Sequence, residues 1–221
     1  MASRSVDAPR GLLTLGQVDR VHVQVGFRAG PDDRPYQQFL LDLLVPGTDS
    51  ARESDAFDER RALTALEPVL YAGAEAPRHY SLHQHRWHTS GEVSPGALDI
   101  GLLVTTGTTT TAISEASHDD VTRAFHDLIE MAGRPEPTPT SRDAAIVQAR
   151  RAVATAYGVD PDATSLSAEE HHPAEKSWTV GLRTTAGDMY EVVVGFVDGY
   201  AGSARVRHEQ RIEVSDSIGS E

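Results

Sequence analysis

Four of the ten histidines fall within one short segment, Arg78 to His88. Neutral imidazole is a ligand for zinc, nickel, copper and iron. If the segment is a strand, side chains alternate between faces, so His79, His83 and His85 project one way while Tyr80 and Leu82 project the other. His83 and His85, two residues apart on one face, can converge on a single ion. His79 lies some 13 Å from His83 at about 3.3 Å per residue, so it joins them only if the strand bends. Further ligands could come from Glu169, Glu170, His171 and His172, read here as a loop cluster, or from His88 and Glu92 nearby. A divalent metal on His79, His83 and His85 is the one cofactor these residues suggest. The competing account is a polar row on the wet face of an antiparallel sheet. An isolated His-x-His lacks the spacing specificity of established zinc motifs, which favours the polar row and the expectation of no cofactor.

Other groupings of reactive side chains have sufficient structural explanations. Ser117-His118-Asp119 places the letters of a hydrolytic triad side by side, yet triad members meet in space, and no Gly-x-Ser-x-Gly elbow occurs. Helix capping accounts for the three better. Asp32-Asp33 sits in a turn and Asp119-Asp120 at a helix start, where carboxylates favour the helix dipole. The threonine-rich run from Thr105 to Thr111 lacks the Gly-Lys-Ser/Thr ending of a phosphate loop and reads as a strand end. Arg205, Arg207 and Arg211 form a basic row that could grip a carboxylate, a phosphate or an acidic partner. Against that, Glu209 and Glu213 dilute the row, which equally suits a charged edge strand.

Composition removes whole classes of function. With no cysteine among 221 residues, disulfides, thiol nucleophiles and thiolate metal sites are excluded. A net charge of -13 opposes adhesion to nucleic acid or anionic lipid, whose affinity comes from Lys and Arg. No apolar run approaches the roughly 20 residues of a membrane span, and the mean hydropathy of -0.36 is that of a soluble chain. All but one of the 20 basic residues are arginine, Lys176 being the exception, which leaves a single candidate for Schiff-base chemistry. The expected partners are proteins, through heterologous contacts or self-association, or small molecules, in a cytoplasmic setting.

The elements that must position these groups divide at Gly133-Arg134-Pro135-Glu136-Pro137-Thr138-Pro139-Thr140, where alternating prolines deny helix and favour an extended spacer. Before it, Val21, Val23, Val25 and Phe27 alternate with polar residues, and Phe39 to Val45 forms a second strand of a hairpin. Ser54 caps a helix running to about Leu66, the histidine strand follows, a turn at 91–96 leads into Leu98 to Thr105, and Ser117 opens a helix carrying Val121, Ala124, Phe125, Leu128 and Ile129. After the spacer, Ser141 caps a helix ended by Gly158. Three strands follow, around Trp178 to Leu182, Tyr190 to Phe196 and Ala204 to Val214, the last two joined by a turn at Asp198-Gly199.

The reading is α+β: a flexible leader at 1–16, a ββαββα domain at 17–133, a linker at 134–140, an αβββ domain at 141–214 and a disordered tail at 215–221. Each domain is expected to be an antiparallel sheet packed by one or two helices. The second resembles, in order of elements alone, the small PepSY-like and cystatin-like modules, and carries no diagnostic motif from either. The function expected is that of a non-enzymatic adaptor or accessory protein working through protein contacts. A small metalloprotein, either a metal carrier or a metal-assisted enzyme, built on the His79–His88 strand is one alternative. A small-molecule binding domain is the other.

Overall fold

The computed structural model describes residues 18–45, 57–71, 74–88, 96–107, 113–133 and 140–209. Its strands are β1 (Val18–Arg28), β2 (Gln37–Leu44), β3 (His79–His88), β4 (Gly96–Thr105), β5 (Thr164–His172), β6 (Ser177–Thr184), β7 (Met189–Val194) and β8 (Ser203–Glu209). The helices are α1 (Glu59–Leu66), α2 (Glu115–Met131) and α3 (Arg142–Tyr157). All eight strands lie in one mixed sheet of order β3-β4-β1-β2-β8-β7-β6-β5. The class is mixed α+β, but the two strand groups share a single sheet, joined where β2 pairs antiparallel with β8. Nor is the first group purely antiparallel, because β1 and β4 run parallel. That pairing follows from the connection: two hairpins linked through α1 place the second hairpin's return strand beside the first strand of the other.

Two cores lie on opposite faces of this sheet. Val21, Val23, Val25 and Phe27 of β1 join Phe39, Leu41 and Leu43 of β2 and the even-numbered residues Leu98 to Val104 of β4 beneath α1 and α2. On the reverse face, α3 covers Val180, Leu182, Tyr190, Val192, Val194, Ala204 and Val206. Strand β2 serves both, since Leu40 belongs to the second core while its neighbours Phe39 and Leu41 belong to the first. Burial on both faces explains the unbroken apolar run Phe39-Leu40-Leu41; beyond it the second face opens, with Asp42 and Leu44 exposed.

Several boundaries differ from the sequence expectations. α1 starts at Glu59 under an Asp58 cap, with Pro68 absorbed in a 3-10 turn at Glu67–Leu70, while Ser54 lies outside the described residues. α2 is capped by Ser114, and Ser117 sits fully buried in its first turn. α3 keeps its expected Ser141 cap and its left-handed Gly158 stop at φ 68°. Residues 164–172 form the edge strand β5 where a loop was expected, so the second group reads αββββ. Ordinary strand alternation fails there because the strand is exposed almost throughout and leaves no apolar stripe to detect. The leader, the tail, most of the spacer, Glu92, Thr108 to Thr111, Arg211 and Val214 lie outside the described residues.

Candidate functional site

Each strand group has one face covered by its own helices and one face left open. The open face of β4-β1-β2 turns toward the flank of α3, and the two enclose a groove of about 660 Å³. Strand pairing decides what lines it. His22 is the cross-strand partner of both Asp42 on β2 and Asp99 on β4, and Asp99 is in turn the partner of His85 on β3. A row His85-Asp99-His22-Asp42 therefore crosses four strands on one face, alternating potential cation and anion. Of these, His22, Asp42 and Asp99 line the groove, with Arg20 beside them and Gln148, Arg151 and Thr155 of α3 opposite.

His22 Nδ1 is bonded to a carboxylate oxygen of Asp42. That bond holds the imidazole pKa above its ordinary value of 6.5; burial acts against it, and the nearby charges of Asp42 and Asp99 add to it. The floor is polar as well. Gln24 donates to Gln38, whose amide donates to the Ala156 carbonyl of α3 at 2.5 Å, tying the strands to the helix that forms the opposite wall. Such a surface can hold a polar ligand by hydrogen bonds and by charges of both signs.

The histidines singled out by spacing occupy this same face. β3 spans His79 to His88 as expected, and pairing sets His79, His83 and His85 opposite Thr105, Gly101 and Asp99. The His83 imidazole folds over Gly101 into the groove, in space that a Cβ at residue 101 would occupy. Among the described residues no third ligand gathers with His83 and His85; the group whose ligand atoms come together is His126, Asp127 and Glu130 on α2. Glu169, Glu170, His171 and His172 lie on β5, at the opposite edge of the sheet from β3. His171 stacks on Trp178 at 4.4 Å, and His172 Nε2 meets Thr179 Oγ1 at 2.9 Å.

The arginine row is interior. β8 lies between β2 and β7, so protection of an exposed edge does not explain Arg205 and Arg207. They occupy the face opposite α3, where a shallower hollow also includes Gln37, Ser114, Glu115 and His118. Arg205 approaches Glu191 at 3.8 Å and lies 3.4 Å from His118 Nε2. Burial, with Arg205 adding, pushes the His118 pKa down, so the neutral ring can accept from the guanidinium. Ser117 turns elsewhere, to Arg78 and Ser114, so Ser117, His118 and Asp119 form no relay. Asp33 accepts from the Gly30 amide at 2.6 Å and Asp120 pairs with Arg123, both structural tasks.

Spacing along the sequence pointed to the β3 histidines, of which His83 lines the groove, and gave no sign of Arg20, His22, Asp42, Asp99 and Arg151 there. The polar alternation of β1 was visible, but the parallel pairing that sets His22 beside Asp99 is not written in either strand alone. Comparison with protein-family models, curated proteins and solved structures gave no match.

Proposed function

We propose that this chain is a non-enzymatic binding protein whose ligand site is the groove between α3 and the open face of β4-β1-β2. The observation that carries the reading is the row of Asp42, His22 and Asp99, with Arg20 beside it, facing Arg151 of α3 across a volume typical of small-molecule sites. Charges of both signs on facing walls suit a small polar ligand that itself carries both a cationic and an anionic or strongly accepting group. Two small α+β units, 17–133 and 141–214 about the spacer at 134–140, fit this reading, since the wall from one closes the open face of the other.

An adaptor working through protein contacts is the second reading. The observation favouring it is β3, an edge strand with Tyr80 and Leu82 both more than two-fifths exposed, which could accept a partner strand. In the first reading, a thermal-shift screen of small polar and zwitterionic metabolites is expected to give a stabilising hit for the intact chain. Asp99→Asn and Arg151→Ala should each weaken that hit at least tenfold by titration calorimetry. A hit indifferent to both substitutions, or no hit alongside a stable protein complex lost on Leu82→Lys, would replace the groove with the strand edge.

A further inference from the structure

We propose that the C-terminal half of α2 and the β7–β8 turn together form a zinc site, with His126 Nδ1, Glu130 and Asp127 as ligands and Asp198 orienting the imidazole. This site is separate from the groove and does not depend on it. Each of His126, Asp127 and Glu130 brings one ligand atom within 4.8 Å of the others. His126 and Glu130 are four residues apart on one helix and therefore share a face. Their Nδ1 and Oε1 atoms stand 3.8 Å apart, too far for a hydrogen bond. Two ligands about 2.1 Å from one ion at a tetrahedral angle stand about 3.4 Å apart, so a small side-chain adjustment closes the pair on a metal.

The second observation concerns the other ring nitrogen. His126 Nε2 lies 3.4 Å from Asp198 Oδ2. Metal-ligating histidines commonly donate their second N–H to a carboxylate, which fixes the tautomer and leaves the first nitrogen's lone pair facing the ion. Asp198, from a distant part of the chain and in a turn where it adopts φ 49°, is the carboxylate placed to take that role once the side chains close on the ion. One imidazole and two carboxylates make a mixed nitrogen and oxygen set that suits zinc and related first-row ions. Because the neighbouring turn residues Phe196 and Val197 pack in the core under α2, bound zinc would also pin this turn to the helix.

The experiment is calorimetric titration of untagged, full-length protein with zinc chloride, beside magnesium and calcium chloride. Binding of one zinc per chain is expected, with neither magnesium nor calcium competing. His126→Ala and Glu130→Gln should abolish it, and Asp198→Ala should weaken it about 10- to 100-fold, as loss of an orienting carboxylate does. Saturating zinc should raise the melting temperature of the native chain and leave that of His126→Ala unchanged. The His83→Ala/His85→Ala double variant is expected to bind zinc like the native chain. Absence of saturation, binding undiminished in His126→Ala, or binding lost in the double variant would each overturn the site, the last by moving the metal to β3. Asp198→Ala losing binding as completely as Glu130→Gln would make Asp198 a ligand and overturn the orienting role.

Discussion

At the scale of single residues, the groove is governed by one imidazole between two carboxylates. The proton on His22 is favoured in the folded chain, so its pKa there lies above 6.5. Below 6.5 the ring is charged in both folded and unfolded chains and the Asp42 interaction contributes in full. As pH rises through the raised folded value the proton leaves and the contribution disappears. His22→Gln should therefore lower the melting temperature more at about pH 5.5 than at about pH 9. A loss that is equal at both pH values, or greater at the higher one, would contradict the assignment. His118 runs the opposite way: its lowered pKa means that the unfolded chain takes a proton first below 6.5, so that ring costs stability as pH falls. The His22→Gln comparison is useful because His118 is common to both proteins and cancels.

Elements hold these residues through local signals of differing legibility. The ends of α3 can be read directly: Ser141 Oγ accepts from the Ala144 amide at the start, and Gly158 closes the helix at φ 68° with its amide bonded to the Ala154 carbonyl. No heavy atom would meet a Cβ at residue 158, so Gly158→Ala isolates the backbone cost of the left-handed conformation. Loss of about 1 kcal/mol in urea unfolding is expected. An unchanged midpoint would show that the cap relaxes without cost. The apolar stripe of α2 was equally legible, and Val121, Ala124, Phe125, Leu128 and Ile129 are all buried. Its cap was misplaced because Ser114 and Ser117 are both plausible caps by sequence, and only the observed turn shows Ser114 accepting from the Ser117 amide.

Over the whole molecule, the two strand groups are interlocked by more than the β2–β8 ladder. Leu40 is lent to the second core and Val197 to the first. Arg34 donates to the Tyr157 carbonyl at 3.0 Å and Tyr200 Oη to the Asp42 carbonyl at 3.1 Å. Separating the groups would strip an open strand edge and uncover both borrowed side chains. A protease site placed within 134–139 should therefore be cleaved to yield two fragments that co-elute and melt in one transition. Fragments that part and melt separately would show instead that each group folds alone. No helix among the described residues is long and apolar enough to cross a membrane.

The amino-acid sequence by itself determined the absence of thiol chemistry, the acidic charge, the β3 histidine face, the helix stripes and the α3 ends. These depend on residue type and on periods of two or 3.6, which local sequence carries. It did not determine that the strands share one sheet, that β5 is a strand, or that Arg205 and Arg207 are interior. Above all, it could not place His22 between Asp42 and Asp99, or Asp198 beside His126. Those neighbours are separated by 20, 77 and 72 positions in the numbering of the chain. Their proximity depends on long-range strand register and on helix docking, which form only when distant apolar faces are buried together, so they belong to the tertiary structure.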